Sequence, residues 1–178
     1  MWIALIVIVV LLIVWIIGVY NNLVSLKMRL KNAWAQIDTQ LKRRFDLIPN
    51  LVETVKGYAA HEQGTLEKVI AARNTYASAT SVEDKAKANN ELTSTLKSIF
   101  ALGEAYPELK ANENFLALQT ELTGTEDKVA YSRQFYNDTV QMYNTAIMKF
   151  PNNILAGMFG YKEEPFFTID DAEKEPVK

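Results

Sequence analysis

Residues 2–20, WIALIVIVVLLIVWIIGVY, are nineteen consecutive positions without a charged side chain, and none follows before Lys27. As a helix this run is about 28 Å long at 1.5 Å per residue. That matches the hydrocarbon thickness of a bilayer. The run is apolar on every side, so it has no polar stripe to present to water as a surface helix of a soluble domain must. Trp2 and Tyr20 stand at its two ends, where amphipathic aromatics anchor a span at the lipid interface. A cleaved signal peptide would need a basic segment before the run and a small-residue cleavage site after it. No Lys or Arg precedes this run, and GVYNNLVS is a poor cleavage site. The reading is therefore a retained transmembrane anchor, residues 1–26. Lys27, Arg29 and Lys31 follow directly. They predict lipid-interface contacts and, by the positive-inside rule, an N-terminus outside and the remaining chain in the cytoplasm.

The rest of the chain, within a total of 178 residues, is enough for one domain. Formal net charge is −2. Six acidic side chains against two lysines from Glu163 onward leave the remainder almost balanced. No basic patch of the kind that binds nucleic acid stands out. There are no cysteines, so no disulfide framework exists and the redox compartment is not marked.

Residues 27–150 read as helix throughout. Trp34, Ile37, Leu41, Phe45, Ile48, Val52 and Val55 alternate steps of three and four, the stripe of a bundle helix. The stripe fades after Ala59, where Gly57 and Gly64 weaken the helix, and resumes at Leu66, Val69, Ile70 and Tyr76. Ser81, followed by Glu83 and Asp84, predicts a capped helix start. That helix carries Leu92, Leu96, Ile99, Phe100 and Leu102 and stops before Pro107. The last long helix carries 115, 122, 129, 136, 143 and 150 at steps of seven, with Gly124 inside it and Pro151 ending it. Nothing alternates with period two. The expected fold is all-α: an N-terminal transmembrane helix continuous, or nearly so, with an antiparallel bundle of three to four long helices. Residues 151–178 read as an irregular aromatic and glycine-rich segment followed by an acidic tail.

No catalytic constellation emerges. His61 is the single histidine, and HEQGT lacks the spacing of a zinc protease. No glycine-rich phosphate loop and no Glu-x-x-His pair of a di-iron bundle occurs. Tyr131, Phe135, Tyr136 and Tyr143 are candidates for a cofactor pocket, but their helical spacing favours core packing. The expectation is no enzyme activity, no metal, no cofactor and no small-molecule substrate.

The stretch LKRRFDLIPNLVETVKGY, residues 41–58, holds a proline inside a helical pattern. Pro49 lacks the N–H that would bond the Phe45 carbonyl. The apolar register runs unbroken across it, which favours a kinked but continuous helix over a break with Asp46 capping a new one. Arg43, Asp46, Asn50 and Glu53 share one face at about 100° per residue, nearly opposite the stripe. That face is either a solvated surface held by weak pairs or a docking face for a partner.

The same stretch, RRFDLIPNLVETVKGY after an apolar anchor, resembles the LemA family of bacterial membrane proteins. YPELKANENFLALQTELTGTEDKVAYSRQFYNDTVQMYN and FPNNILAGMFGY carry the resemblance onward, over residues 1–161. It implies a single-pass inner-membrane protein with a helical-bundle domain. It implies no enzymatic activity, cofactor or catalytic residues, and it marks Arg43, Arg44, Phe45, Asp46, Pro49 and Asn50 as signature positions without a role. The functional expectation is a membrane-anchored interaction or scaffold protein that self-assembles through helical faces. The alternative is an accessory subunit for another membrane protein, such as a protease or transporter. The lipid bilayer and further copies of the chain are the expected partners.

Overall fold

A computed structural model describes residues 2–168; the acidic tail lies outside the described residues. The described chain is all-α, with no strand among the described residues. Its first helix, α1, runs Trp2–Lys56 without interruption and includes Pro49. By length and composition α1 can cross a membrane. The helix is therefore continuous from the apolar run through the signature stretch. It ends one residue before Gly57, where the chain turns through Val55 O, which accepts from the Ala59 N–H at 2.8 Å.

Four more helices carry the chain to α6. Helix α2 spans Gln63–Ser78, α3 Val82–Ala105, α4 Pro107–Lys110 and α5 Glu113–Met148. Ser81 caps α3 as its sequence predicts, its hydroxyl accepting from the Asp84 N–H at 3.0 Å, with Glu83 and Asp84 in the first turn. Pro107 ends that helix and opens α4 at a position where its missing donor is harmless. Asn112 Oδ1 accepts from the Phe115 N–H at 2.9 Å and caps α5. Residues 152–158, expected to be irregular, form a short helix, α6, Asn152–Met158.

The chain divides into two compact units. The larger comprises Gln36–Arg133 and the chain from Phe166. In it α1 residues Asp38 and Arg44 meet α3 residues Lys85 and Asn89, in rising order on both helices. Arg43 and Thr54 of α1 meet Glu121 and Asn114 of α5 in opposite order. α1, α2, α3 and α5 thus form an up-down-up-down bundle. Its core joins Ile48, Leu51, Val52 and Val55 of α1 to Leu66 and Val69 of α2, Leu92, Leu96 and Ile99 of α3, and Phe115, Leu118 and Leu122 of α5.

The smaller unit comprises the chain to Ala35 and Gln134–Pro165. Leu23, Leu26, Leu30 and Ala33 of α1 are buried, as are Tyr136, Val140, Tyr143 and Ile147 of α5. An extended strap after α6 returns along α5. It is held by Tyr136 Oη donating to Pro165 O at 3.0 Å, Tyr143 Oη to Lys162 O at 2.9 Å, and a two-way pair between Asn144 and Glu164.

Three details of the patterning differ from the sequence reading. The buried register of α1 runs through Ala33, Ile37, Leu41, Arg44, Ile48, Leu51 and Val55, while Trp34 and Phe45 are only half-buried. Phe150 falls beyond the end of α5 and is 78% exposed, so the series at steps of seven stops contributing to the core at Tyr143. Ile70, Tyr131 and Phe135 are exposed; of the four aromatics weighed as pocket candidates, Tyr131, Phe135, Tyr136 and Tyr143, only Tyr136 and Tyr143 reach the core. For Phe150 the cause is the end of the helix; the others have a second cause. A heptad series drifts around a straight helix, so single positions slide off the buried face.

Candidate functional site

Four signature positions, Arg43, Arg44, Phe45 and Pro49, lie within two turns of α1 and reach three other helices of the larger unit. Arg43 points to α5: its Nη2 and Nε donate to Glu121 Oε1 at 2.6 and 2.9 Å. Arg44, one residue on, is rotated by about 100° into the core, where it is 1% exposed. It donates to Asn89 Oδ1 and, at 3.0 Å, to Thr93 Oγ1, both on α3. Burial pushes the Arg44 guanidinium down from its usual range, and the nearby Glu126 carboxylate acts in the opposite direction. The charge is carried in the core by directional bonds to neutral oxygens.

Phe45 faces α2. Its ring lies under the Arg73 guanidinium, 3.9 Å from centroid to carbon, and beside the Tyr76 ring at 5.5 Å. The Phe45 carbonyl accepts from Arg73 Nε at 3.3 Å. That is the carbonyl which Pro49, four residues on, leaves without its helical donor. The proline thus frees a backbone acceptor, and a side chain from the neighbouring helix takes it. The cost of a helix-interior proline, about 3 kcal/mol, is offset in part by the Arg73 bond to the freed carbonyl.

Asp46, Asn50 and Glu53 are exposed, as is Arg43 apart from its bridge to Glu121. The face that carries the four residues is therefore outward, with one edge fastened to α5 through Arg43–Glu121 and Thr54–Asn114. Pro49 is exposed on α1. Asp38, a turn and a half before this stretch, bonds Lys85 of α3 at 2.6 Å. Tyr76 is pushed up to about 12, first by its burial and then by the charges of Asp38 and Asp46.

The residues expected at the lipid interface belong to the smaller unit. Trp2 is 81% exposed, and Tyr20 packs edge-on against Phe159 at 5.1 Å. Arg29 and Lys31 are exposed. Lys27 turns inward instead: it pairs with Glu164 of the strap and lies 5.1 Å over the Tyr143 ring. Burial works against the Lys27 ammonium, but the Glu164 hydrogen bond and charge outweigh it and hold its pKa above the usual lysine range.

His61 is exposed. No group of three or more His, Cys, Asp or Glu among the described residues is placed to hold a metal ion. What the signature stretch does chemically is join helices. Sequence reasoning left Arg44 outside the polar face of Arg43, Asp46, Asn50 and Glu53 and gave it no role. The signal that locates it is its position in the series Ile37, Leu41, Arg44, Ile48, Leu51, Val55, where every neighbour is apolar. Arg73 carries no such signal; its role depends on where α2 lies.

The LemA family model matches residues 33–178. Protein LemA of Metamycoplasma hominis is 29% identical over 166 residues, covering 90% of this chain and 74% of the relative. Magnetosome protein MamQ 2 of Paramagnetospirillum magneticum is 32% identical over 79 residues, which is 44% of this chain and 29% of that protein. Magnetosome protein MamQ of Magnetospirillum gryphiswaldense is 30% identical over a stretch of the same length. The chain thus spans less than a third of the MamQ proteins it matches.

Proposed function

The chain belongs to the LemA family, and from that premise we propose a membrane-anchored, non-enzymatic interaction protein that assembles with further copies of itself at the bacterial inner membrane. The observation that carries the proposal is α1. One unbroken helix joins an apolar run, with Ile3, Leu5 and Ile6 through Val14 left exposed, to the charged bundle helix of the signature stretch. Exposed apolar side chains around a whole helix need lipid. The outward face of Asp46, Asn50 and Glu53 supplies a polar surface on a rigid element, and the two names carried by the relatives, LemA and MamQ, are not those of enzymes. Arg29 and Lys31 stay free of the fold's interior and favour a cytoplasmic bundle with the N-terminus outside.

Purification of the full chain in mild detergent, followed by mass determination, tests the assembly. A discrete species made of this chain alone supports it. Monomers bound to a foreign membrane protein in fixed ratio would replace it with an accessory-subunit role. Asp46→Lys and Glu53→Lys refine the test. On an exposed face each changes folding by a few tenths of a kcal/mol. At a subunit contact each would weaken association far more, because the reversed charge is left unpaired there.

A further inference from the structure

We propose that the corner formed by the end of α5 and α6 is a second membrane-contacting element, seated in the headgroup and upper acyl region of the same leaflet that receives the C-terminal end of the α1 span. The inference rests on the membrane-anchor reading and adds to it a surface outside the anchor.

Its first support is the height of the corner along α1. From Ile3 to Val14 the apolar side chains are largely exposed. Trp15 and Ile16 are half-buried, and Val19 is buried, at 9%. The fold therefore begins to cover α1 inside the apolar run, not after it. The Tyr20–Phe159 ring contact shows that the segment just after α6 reaches this level. From Trp15 to Tyr20 is about 7 Å of helix rise. That depth falls within the 5–10 Å to which interfacial elements bury their apolar faces.

The second support is the chemistry of the corner. Residues 150–161, FPNNILAGMFGY, contain no charged side chain, and Lys149 and Lys162 flank them. Met148, Phe150, Ile154 and Met158 all project outward, with Met158 74% exposed. Leu155 and Ala156, on the other side of α6, are buried. One side of α6 thus serves the protein core, and the other turns Ile154 and Met158 outward, with the uncharged Asn153 beside them. A lysine at each end can keep its ammonium in the headgroup layer while its stem lies along the apolar surface. The occupant is the bilayer because the patch is continuous, through Phe159 and Tyr20, with the segment already read as spanning it.

The chain has no cysteine, so single-cysteine variants of the full chain take one label each. Ile154→Cys and Met158→Cys are labelled with an environment-sensitive fluorophore and placed in nanodiscs of phosphatidylcholine and phosphatidylglycerol. Val7→Cys, within the span, and Asn32→Cys, exposed and about 18 Å of rise beyond Tyr20, are references. Quenching is read with spin-labelled lipids whose label sits either near the glycerol end or near the terminal methyl of the acyl chain. The expected result is about a twofold loss of emission at 154 and 158 with the shallow label, little with the deep one, and none at 32, as an interfacial seat requires. Val7 quenched while 154 and 158 emit as water-exposed probes would overturn the proposal and leave the anchor intact. Emission at 154 and 158 that is shielded from water but unquenched by either lipid would also overturn it, with a protein surface as the cover. An unquenched Val7 would remove the anchor reading itself, and this proposal with it.

Discussion

Arg44 is a charged residue buried in the core of the larger unit. Its guanidinium fills a core position that every neighbour in the series fills with an apolar side chain, and it is bonded to Asn89 and Thr93. Truncating one partner of a buried charged network leaves the other groups unsatisfied and opens a cavity. Arg44→Ala should therefore lower the stability of the full chain in detergent by about 3–5 kcal/mol. Arg44→Met keeps the volume and removes the charge, so its melt should fall much less. Equal losses for the two would show that the bonds, and not filled space, hold this position. Pro49 and Arg73 make a second pair. Pro49→Ala supplies a backbone donor to the Phe45 carbonyl and should leave stability equal or higher. Arg73→Met should cost about 1–3 kcal/mol in the parent, through the carbonyl bond and the ring contact. In the Pro49→Ala background that cost should shrink by about 0.5–1.5 kcal/mol, because the carbonyl no longer needs Arg73. Additive melts of the double variant would mean that the carbonyl bond contributes nothing.

Among the elements, α5 is the one whose packing is written in tyrosines. Tyr136 and Tyr143 carry the strap by donating their hydroxyls to its carbonyls. Burial, and then Glu164, pushes Tyr136 up to about 12. Tyr76 of α2 is raised to a similar value. In an unfolded chain a tyrosine loses its proton near pH 10. Both folded values lie above that, so the stabilising contribution is full below pH 10. It is lost as pH rises from about 10 through about 12, because the unfolded state ionises first. The melting temperature should fall steeply across that window. Tyr136→Phe should lower it at neutral pH through the lost bond to Pro165 O, and should flatten the alkaline fall. Absorbance titration should show the Tyr136 phenolate appearing late, near pH 12. A single early phase would contradict the burial of α5.

For the whole molecule, the question is which side of the membrane receives the bundle. Lys27 is engaged by Glu164, so Arg29 and Lys31 are the exposed positive charges nearest the span. Protease added to sealed spheroplasts should leave the bundle intact, and should digest it once the membrane is opened. Digestion in sealed spheroplasts would place the bundle outside. Replacing Arg29 and Lys31 with Gln should weaken the orientation bias without preventing insertion, at about 1 kcal/mol per charge. Lys27→Gln should act differently: it should reduce stability by releasing the strap at Glu164, which a thermal melt detects and a topology assay does not.

The sequence alone determined the features set by local chemistry and period. Nineteen uncharged residues make a helix long and apolar enough to cross a membrane, Ser81 with Asp84 starts a helix, Pro107 stops one, and steps of three and four make a bundle. It also showed that α1 keeps one apolar register across Pro49, which is how a helix passes through a proline. Only the tertiary structure decided which positions of that register are core and what fills them. Arg44 is a signature position without a role in the sequence, because a linear apolar series with one charged member does not announce that the charge is buried. Arg73 and the Phe45 carbonyl could not be paired in advance, since the partners are 28 residues apart and on different helices. Nor could the strap, whose backbone bonds to Tyr136, Tyr143 and Asn144 depend on where α6 turns the chain. Local rules fix what each segment becomes; which side chain meets which is settled by the packing of segments distant in sequence, because burial free energy depends on the faces that come together and not on the order in which the residues were written.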